Sequence, residues 1–280
     1  MDILSTVRQL TGLSAAALPL SVCRVTRAYL LERHSIDISG TAIMLAVPYV
    51  VSGDIRDPDR NVSLYAVPRD YHLYFKELAG RLLPVLLAQF PSHTFALFAD
   101  HSPIAEADAA ARAGLGVVGD HGLLITPDYG SFVFLGEIVT DAPWEAVTGK
   151  TSAPEFPHEP PRCEGCGACL AACPMGCSGG DRTHCLSALT QKKGALTNDE
   201  QAVLRDHPLV WGCDTCQLVC PYNLAVTERG LGTPVPFFRG QRLPHLDAAT
   251  IDGMSNEAFD ARAYSWRGRD VICRNIEIKT

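Results

Sequence analysis

Cys163, Cys166, Cys169 and Cys173 run C-x2-C-x2-C-x3-C with Pro174 directly behind them. A tetrahedral zinc site takes separated pairs of ligands and leaves such a run unexplained. The spacing is that of a bacterial two-cluster ferredoxin, in which the first thiolates hold one four-iron four-sulfur cluster and the last serves the other. A second run follows at Cys213, Cys216 and Cys220, closed by Pro221. Two such clusters require one thiolate more than the runs supply. Cys185 is the expected supplement, with Cys177 close enough to compete. The expected sets are therefore Cys163, Cys166, Cys169 and Cys220 on one cluster, and Cys173, Cys185, Cys213 and Cys216 on the other. Each proline marks the chain leaving one cluster for the next, where a helix could not run on unbroken. Of the eleven cysteines, Cys23, Cys177 and Cys273 are left as buried or partly buried thiols. Disulfides suit small secreted scaffolds, and a chain of 280 residues that opens Met1-Asp2-Ile3 is expected to have no secretory leader.

No apolar run approaches the ~18 residues of a membrane span. The expected setting is the cytoplasm, without a membrane partner, where thiolates stay reduced. The formal charge of −7 argues against a broad phosphate-binding face. Arg262, Arg267, Arg269, Arg274 and Lys279 nevertheless concentrate near the C-terminus, diluted by Asp260, Asp270 and Glu277. They read as a solvated charged surface or as a phosphate site.

Strand-like and helix-like segments alternate from residue 1 to about residue 140, which predicts an α/β (α+β) amino-terminal domain. Asp2 caps an amphipathic helix from Ile3. A strand is expected over Thr41 to Val51, a helix over Tyr71 to Phe90 and a strand over Thr94 to Ala99. Pro103 should open a helix ending near Ala113, and a hairpin should join Leu123–Thr126 to Ser131–Val139 across Pro127-Asp128-Tyr129-Gly130. Pro154, Pro157, Pro160 and Pro161 make a stiff connector. The expected organisation is an α/β domain over 1–150, a linker over 151–162, a ferredoxin-like double-cluster domain over 163–225, and a segment over 226–280 that packs back on the core with a helix near Glu257 to Arg262.

Gly114, Gly116 and Gly119 spell G-x-G-x-x-G, yet they follow an Ala-rich helix and precede a strand. That order is the reverse of a dinucleotide fingerprint. Those glycines are expected to end the helix and to let the backbone pass close to something large and flat. Asp100 follows its strand directly, where a half-buried carboxyl could deliver a proton; alternatively Asp100, His101 or Ser102 caps the next helix. Asp70 likewise stands where it could cap the helix that follows.

These stretches together resemble the epoxyqueuosine reductase family. The family's Y-A-x-G-R-D-Y-H is similar to Tyr65-Ala66-Val67-Pro68-Arg69-Asp70-Tyr71-His72, with Pro68 in place of glycine. The stretch Asp100 to His121 and the stretch Leu124 to Ile138, which contains Ser131, resemble two further motifs, as do Cys185 to Thr190, Cys213 to Pro221 and the close Trp266-Arg267-Gly268-Arg269 with Arg274-Asn275. Ala107 stands where the family has arginine, and Asp120-His121 replaces Lys-Asn. The resemblance implies an oxidoreductase with two 4Fe-4S clusters and a base-off cobalamin lying between the α/β domain and the clusters. It implies Arg69, Asp70, Tyr71, His72, Gly114, Gly116 and Ser131 at that cofactor, and Asp100 as the proton donor. The implied reaction is reduction of epoxyqueuosine to queuosine in tRNA, with electrons from a low-potential donor of flavodoxin or ferredoxin type. Many members continue into a helical-repeat domain, and this sequence is expected to be a short form without it. Two rivals share the architecture: a corrinoid reductase of a small molecule, and a non-catalytic electron-transfer protein.

Overall fold

The computed structural model describes residues 1–177 and 183–279, and these gather into two compact units. Neither unit is contiguous in sequence. The first holds residues 1–47, 72–119 and 123–165; the second holds 48–71, 120–122 and 166–280. A single cut in the Pro-rich stretch therefore does not describe the chain, because residues 48–71 build the second unit together with the C-terminal residues.

The first unit opens with α1 (Ile3–Thr11), whose first free N–H groups are met by Asp2: its carboxylate accepts from the Ser5 N–H at 2.7 Å. Gly12, at φ +65°, ends that helix in the left-handed conformation. β1 (Ser14–Pro19), α2 (Ala28–Arg33) and β2 (Thr41–Pro48) follow. β2 is buried along its whole length, which explains its unbroken apolar sequence: it lies between β1 and another strand and is covered on both faces. The segment expected to run as a strand to Val51 stops at Pro48. β1 was not legible in advance, since Ser14-Ala15-Ala16-Ala17 lacks the β-branched and aromatic residues that mark strands.

After α3 (Ser52–Arg56) of the second unit, α4 (Tyr71–Gln89) buries Tyr74, Phe75, Leu78, Leu82 and Leu86 at helical spacing. β3 (Phe95–Phe98), α5 (Glu106–Arg112), β4 (Val117–Val118), β5 (Leu124–Ile125), β6 (Val133–Thr140) and α6 (Trp144–Thr148) complete the first unit. The main sheet has the order β1-β2-β6-β3, with β1 antiparallel to β2 and β3 antiparallel to β6.

Two expectations are corrected here. The helix after Asp100 begins at Glu106, because Pro103 and Ile104 are already engaged: the Pro103 carbonyl accepts from the Thr26 and Arg27 N–H groups, and Ile104 bridges Val25. The turn Thr126–Gly130 forms, with reciprocal bonds between those residues, but its arms are not a hairpin. β5 pairs with β4 in a small second sheet, and β6 enters the main sheet. Gly116 permits this, since a Cβ there would stand 2.1 Å from the Ile125 carbonyl oxygen.

Gly136 of β6 has an equally definite reason. A Cβ at that position would lie 2.3 Å from the Phe75 ring, so its bare backbone is what lets α4 settle on the sheet. Gly136→Ala should destabilise the protein by about 1–3 kcal/mol through overpacking. Adding Phe75→Leu should return much of that loss in a thermal-unfolding series.

The second unit continues with α7 (Ala168–Ala171), α8 (Leu186–Thr190), α9 (Asn198–Asp206), α10 (Thr215–Leu218), α11 (Pro221–Glu228), α12 (Pro236–Arg239), α13 (Ala248–Gly253), α14 (Asn256–Asp260) and α15 (Arg269–Glu277). Its core gathers Val62, Val67, Trp211, Phe259, Tyr264 and Ile272. Asn275, wholly buried, donates to the Thr190 and Val210 carbonyls at 2.7 and 2.8 Å. The C-terminal cations serve the same kind of purpose. Arg262 donates to the Gln241 carbonyl, Arg269 to Ile251 and Met254, Arg274 to Lys192 and Gly194, and Lys279 to Leu204 and His207. These four satisfy carbonyls of short helices and loops. Arg267 instead lies over the exposed Trp266 ring, 3.7 Å from its centroid.

Candidate functional site

The cysteines of the second unit sit at the ends of short helices, where backbone N–H groups lack helical partners. Cys169 lies within α7, Cys216 within α10, Cys185 precedes α8 and Cys220 precedes α11. α7 packs on α10. Cys173 occupies a nest. Burial alone would raise its thiol, but the N–H groups of Met175, Cys177 and Gly176, with the Cys177 side chain, hold it below the ordinary value. The Cys177 N–H lies 3.4 Å from the Cys173 Sγ. Such donors favour the thiolate, the form that binds iron.

The electrostatic neighbourhoods divide the thiols. Cys169 is raised first by burial, then by the charges of Asp120 and Cys220. Burial, then Cys213 and Cys185 push Cys216 up to about 12. Cys177 is pushed up to about 12 by burial, by its bond to Cys173 and by Cys185. Thus Cys220 neighbours Cys169, Cys185 neighbours Cys177, Cys213 and Cys216, and Cys169 also lies close enough to Cys216 to raise it. Cys163 belongs to the first unit, where its N–H donates to the Val118 carbonyl. All eleven cysteines are free thiols. Among the described residues no group of His, Cys, Asp or Glu converges on one ion; cluster thiolates bind separate irons and need no such convergence.

Two polar residues around the second run were not singled out from sequence. His207 Nδ1 accepts from the Leu209 N–H at 3.2 Å, so in the neutral ring the proton sits on Nε2, 3.7 Å from Cys213 Sγ. Burial, with Lys279 and Arg60 nearby, lowers its pKa to about 4 and keeps the ring neutral. Asp214, 1 % exposed, accepts from Arg60 Nη1 at 2.7 Å, from the Ser63 hydroxyl and from the Leu64 N–H at 2.9 Å. It ties the Cys213–Cys216 loop to residues 60–64.

In the first unit Asp100 has φ +64°, a left-handed conformation that aspartate tolerates better than most residues. Its side chain is not half-buried as expected but 68 % exposed, and its Oδ2 stands 3.7 Å from His72 Nε2 at the start of α4. It does not cap α5, whose N-cap position is Ala105. The Ser102 hydroxyl instead accepts from the Ile104 N–H. Its N–H donates to Oε1 of the half-buried Glu106 at 3.2 Å, and elsewhere in this unit Glu137 is wholly buried.

The other residues expected at a cofactor fall in both units. Arg69 lies over the Phe237 ring at 4.4 Å, and the Asp70 N–H donates to the Ala261 carbonyl, while Tyr71 closes the segment. In the first unit Ser131 is buried beside the Thr126–Gly130 turn. The large flat neighbour expected of the glycines is, at Gly116, the Ile125 carbonyl. Gly114, at φ +90°, has open space on its Cβ side.

Residues 162–223 match the 4Fe-4S double cluster binding domain, so this stretch is a double-cluster iron–sulfur domain. Curated proteins similar to this chain include epoxyqueuosine reductases. The enzyme of Listeria monocytogenes is 35% identical over 217 residues, which are 75% of this chain and 54% of that protein. The enzyme of Burkholderia pseudomallei is 38% identical over 177 residues, 60% of this chain and 42% of that one. The chain thus spans about half the length of the curated relatives it matches. A crystal structure of epoxyqueuosine reductase with an epoxyqueuosine-modified tRNA-Tyr stem loop superposes with a TM-score of 0.73 at 24% identity, covering 99% of this chain and 79% of that one. The mixed α/β fold with its double-cluster domain is therefore the fold of those enzymes. Among the described residues no helix is long and apolar enough to cross a membrane.

Proposed function

We propose that this chain is a cobalamin-dependent iron–sulfur reductase that converts epoxyqueuosine in tRNA to queuosine. The observation that carries the reading is the pairing, in one homologous chain, of a double-cluster domain with an exposed carboxyl held on a strained turn at Asp100. Cys163, Cys166, Cys169 and Cys220 would hold one cluster, and Cys173, Cys185, Cys213 and Cys216 the other. The nest around Cys173 and the Nε2–H of His207 fit clusters whose sulfurs accept hydrogen bonds. Arg69, Asp70, Tyr71, His72, Gly114, Gly116 and Ser131 are the residues proposed for the corrinoid; the open side of Gly114 suits a large planar group. When bound, a corrinoid supplies a low-valent cobalt able to reduce carbon. Opening the epoxide to the alkene consumes two electrons and two protons and releases the oxygen as water. Asp100 delivers a proton to that oxygen as its bond to carbon breaks, and His72 orients the carboxyl. A low-potential flavodoxin or ferredoxin would supply the electrons, in the cytoplasm.

The test is anaerobic expression with cobalamin, followed by assay on tRNA carrying epoxyqueuosine, with the nucleoside read by mass spectrometry. About eight irons, bound corrinoid and loss of one oxygen from the nucleoside support the reading. Iron without corrinoid overturns it in favour of electron transfer. A small-molecule substrate is the second reading, favoured by the charge of −7 and by the commitment of the C-terminal cations to carbonyls. Turnover of the free nucleoside as fast as of the tRNA selects it.

The ligand assignment has its own test. Cys185→Ser should lower bound iron from about eight atoms to about four, while Cys177→Ser, which keeps the backbone N–H offered to Cys173, should leave it near eight. The reverse pattern would exchange the two roles.

A further inference from the structure

Glu137 is the most deeply buried carboxyl in the first unit, and nothing in the proposed reaction uses it. It is 0% exposed, and both of its oxygens lack a well-formed hydrogen bond. β6 brings it opposite Phe98 of β3, two positions before Asp100. The groups that face it are the Glu106 carboxyl and the Ser102 hydroxyl, with the Cys23 thiol close enough to feel its charge and Arg112 beside that thiol. Ser102 is itself wrapped around Ile104, bonding both its carbonyl and its N–H. Glu106 faces Arg27 and Asp100, and takes the Asp100 N–H.

A carboxylate cannot rest unpaired in such a place. Two carboxyls this close do not both ionise, and the more buried one retains the proton. Arg27 and the Asp100 N–H favour charge on Glu106 against the opposing charge of Asp100, whereas among the described residues no cation is among the groups that act on Glu137. We infer that Glu137 is a neutral carboxylic acid that donates its proton in a hydrogen bond to Glu106, and that Glu106, through the Asp100 N–H, fixes the left-handed turn on which Asp100 stands. Glu137 is on this account a positioning residue that acts through Glu106. The inference rests on the reading of Asp100 as the proton donor only for its effect on turnover.

Burial first, then the charge of its partner, raises Glu137 well above the ordinary carboxyl range, in keeping with this assignment. Glu106 is raised to about 7, again chiefly by burial, with the Asp100 N–H opposing. Below that pH Glu106 is protonated too and accepts the Asp100 N–H more weakly. Above it the pair carries one negative charge and grips the turn.

Infrared spectroscopy of the cluster-loaded chain tests the protonation directly. At about pH 8, far above the ordinary carboxyl pKa of ~4.3, the wild type should retain a protonated-carboxyl C=O band, and Glu137→Gln should lose it. The absence of that band in the wild type, or its survival in a folded Glu137→Gln, overturns the inference. Turnover separates positioning from packing, since Gln offers an N–H to Glu106 and the similarly sized Met does not. Glu137→Met should lower kcat on the order of tenfold, the effect of losing one aligned hydrogen bond, with KM little changed, and Glu137→Gln should restore most of it. Equal loss in both variants, with normal iron content, would reduce Glu137 to a packing residue. If Asp100 proves not to be the acid, the turnover difference disappears while the infrared band remains.

Discussion

Asp214→Ala should lower the midpoint of thermal unfolding by roughly 10 °C and leave the protein short of iron. Asp214 and Arg60 are 1% and 6% exposed at their side chains and 2.7 Å apart. Removing one partner of a buried ion pair typically destabilises by about 3–5 kcal/mol, because the other charge is stranded. For a domain of this size each kcal/mol moves the midpoint by roughly 2–4 °C. The Ser63 hydroxyl and the Leu64 N–H lose their acceptor in the same substitution. Since Asp214 lies between Cys213 and Cys216, the loosened segment is the one that should present both thiolates. Replacing Arg60 and Asp214 together by Met and Leu removes both charges and should recover most of the midpoint. Recovery of stability without recovery of iron would locate the role of Asp214 in shaping the loop rather than in cancelling the charge. An unchanged midpoint in Asp214→Ala would mean that water reaches Arg60 as soon as its partner goes.

The cysteine spacing was readable because the ligands of a cluster must be thiolates at short intervals, and the sequence states those intervals outright. The structure gathers Cys169, Cys213, Cys216 and Cys220 around the short helices α7 and α10, but which thiolate serves which cluster is a matter for the iron-content test. Local signals also sufficed for α1, with its Asp2 cap, and for α4, with its apolar stripe. They failed where tertiary pairing decides. Pro103 has the chemistry of a first helical residue, yet its carbonyl is taken by Thr26 and Arg27, residues distant in sequence. The Thr126–Gly130 turn was legible, but whether its arms pair with each other depends on Gly116, which admits β5 beside β4. Glu137 could not be found at all by alternation, because a glutamate in a strand ordinarily faces water. His207 lacked a motif, and only the Leu209 N–H reveals which of its nitrogens carries the proton. The C-terminal cations show the same limit from the other side. A run of arginines in sequence suggests a ligand, whereas the carbonyls they satisfy come from short helices and loops that no local pattern brings together.

Asp100→Asn should reduce turnover by about 10²–10⁴-fold, the usual contribution of a general acid, without change in iron content or in the unfolding midpoint. The substitution is chosen for its backbone. Asparagine accepts the left-handed conformation at φ +64° about as readily as aspartate, so the turn and its bond to Glu106 persist. Alanine would mix loss of the acid with strain at that turn. The amide keeps the size and the hydrogen-bonding reach of the side chain but has no proton to give to a departing oxygen. Because the carboxyl is 68 % exposed and stands near His72, it can reload from solvent between turnovers, so a single-turnover assay should show the same deficit as steady state. His72→Gln should produce a smaller loss, since the acid survives. A variant Asp100→Asn that turned over normally while holding both clusters would remove the proton donor from this turn, and with it the reason for placing chemistry at the end of β3. One that lost turnover yet still passed electrons to an artificial acceptor at the wild-type rate would separate the acid from the redox chain, which is the separation the reductase reading requires and the electron-transfer reading excludes.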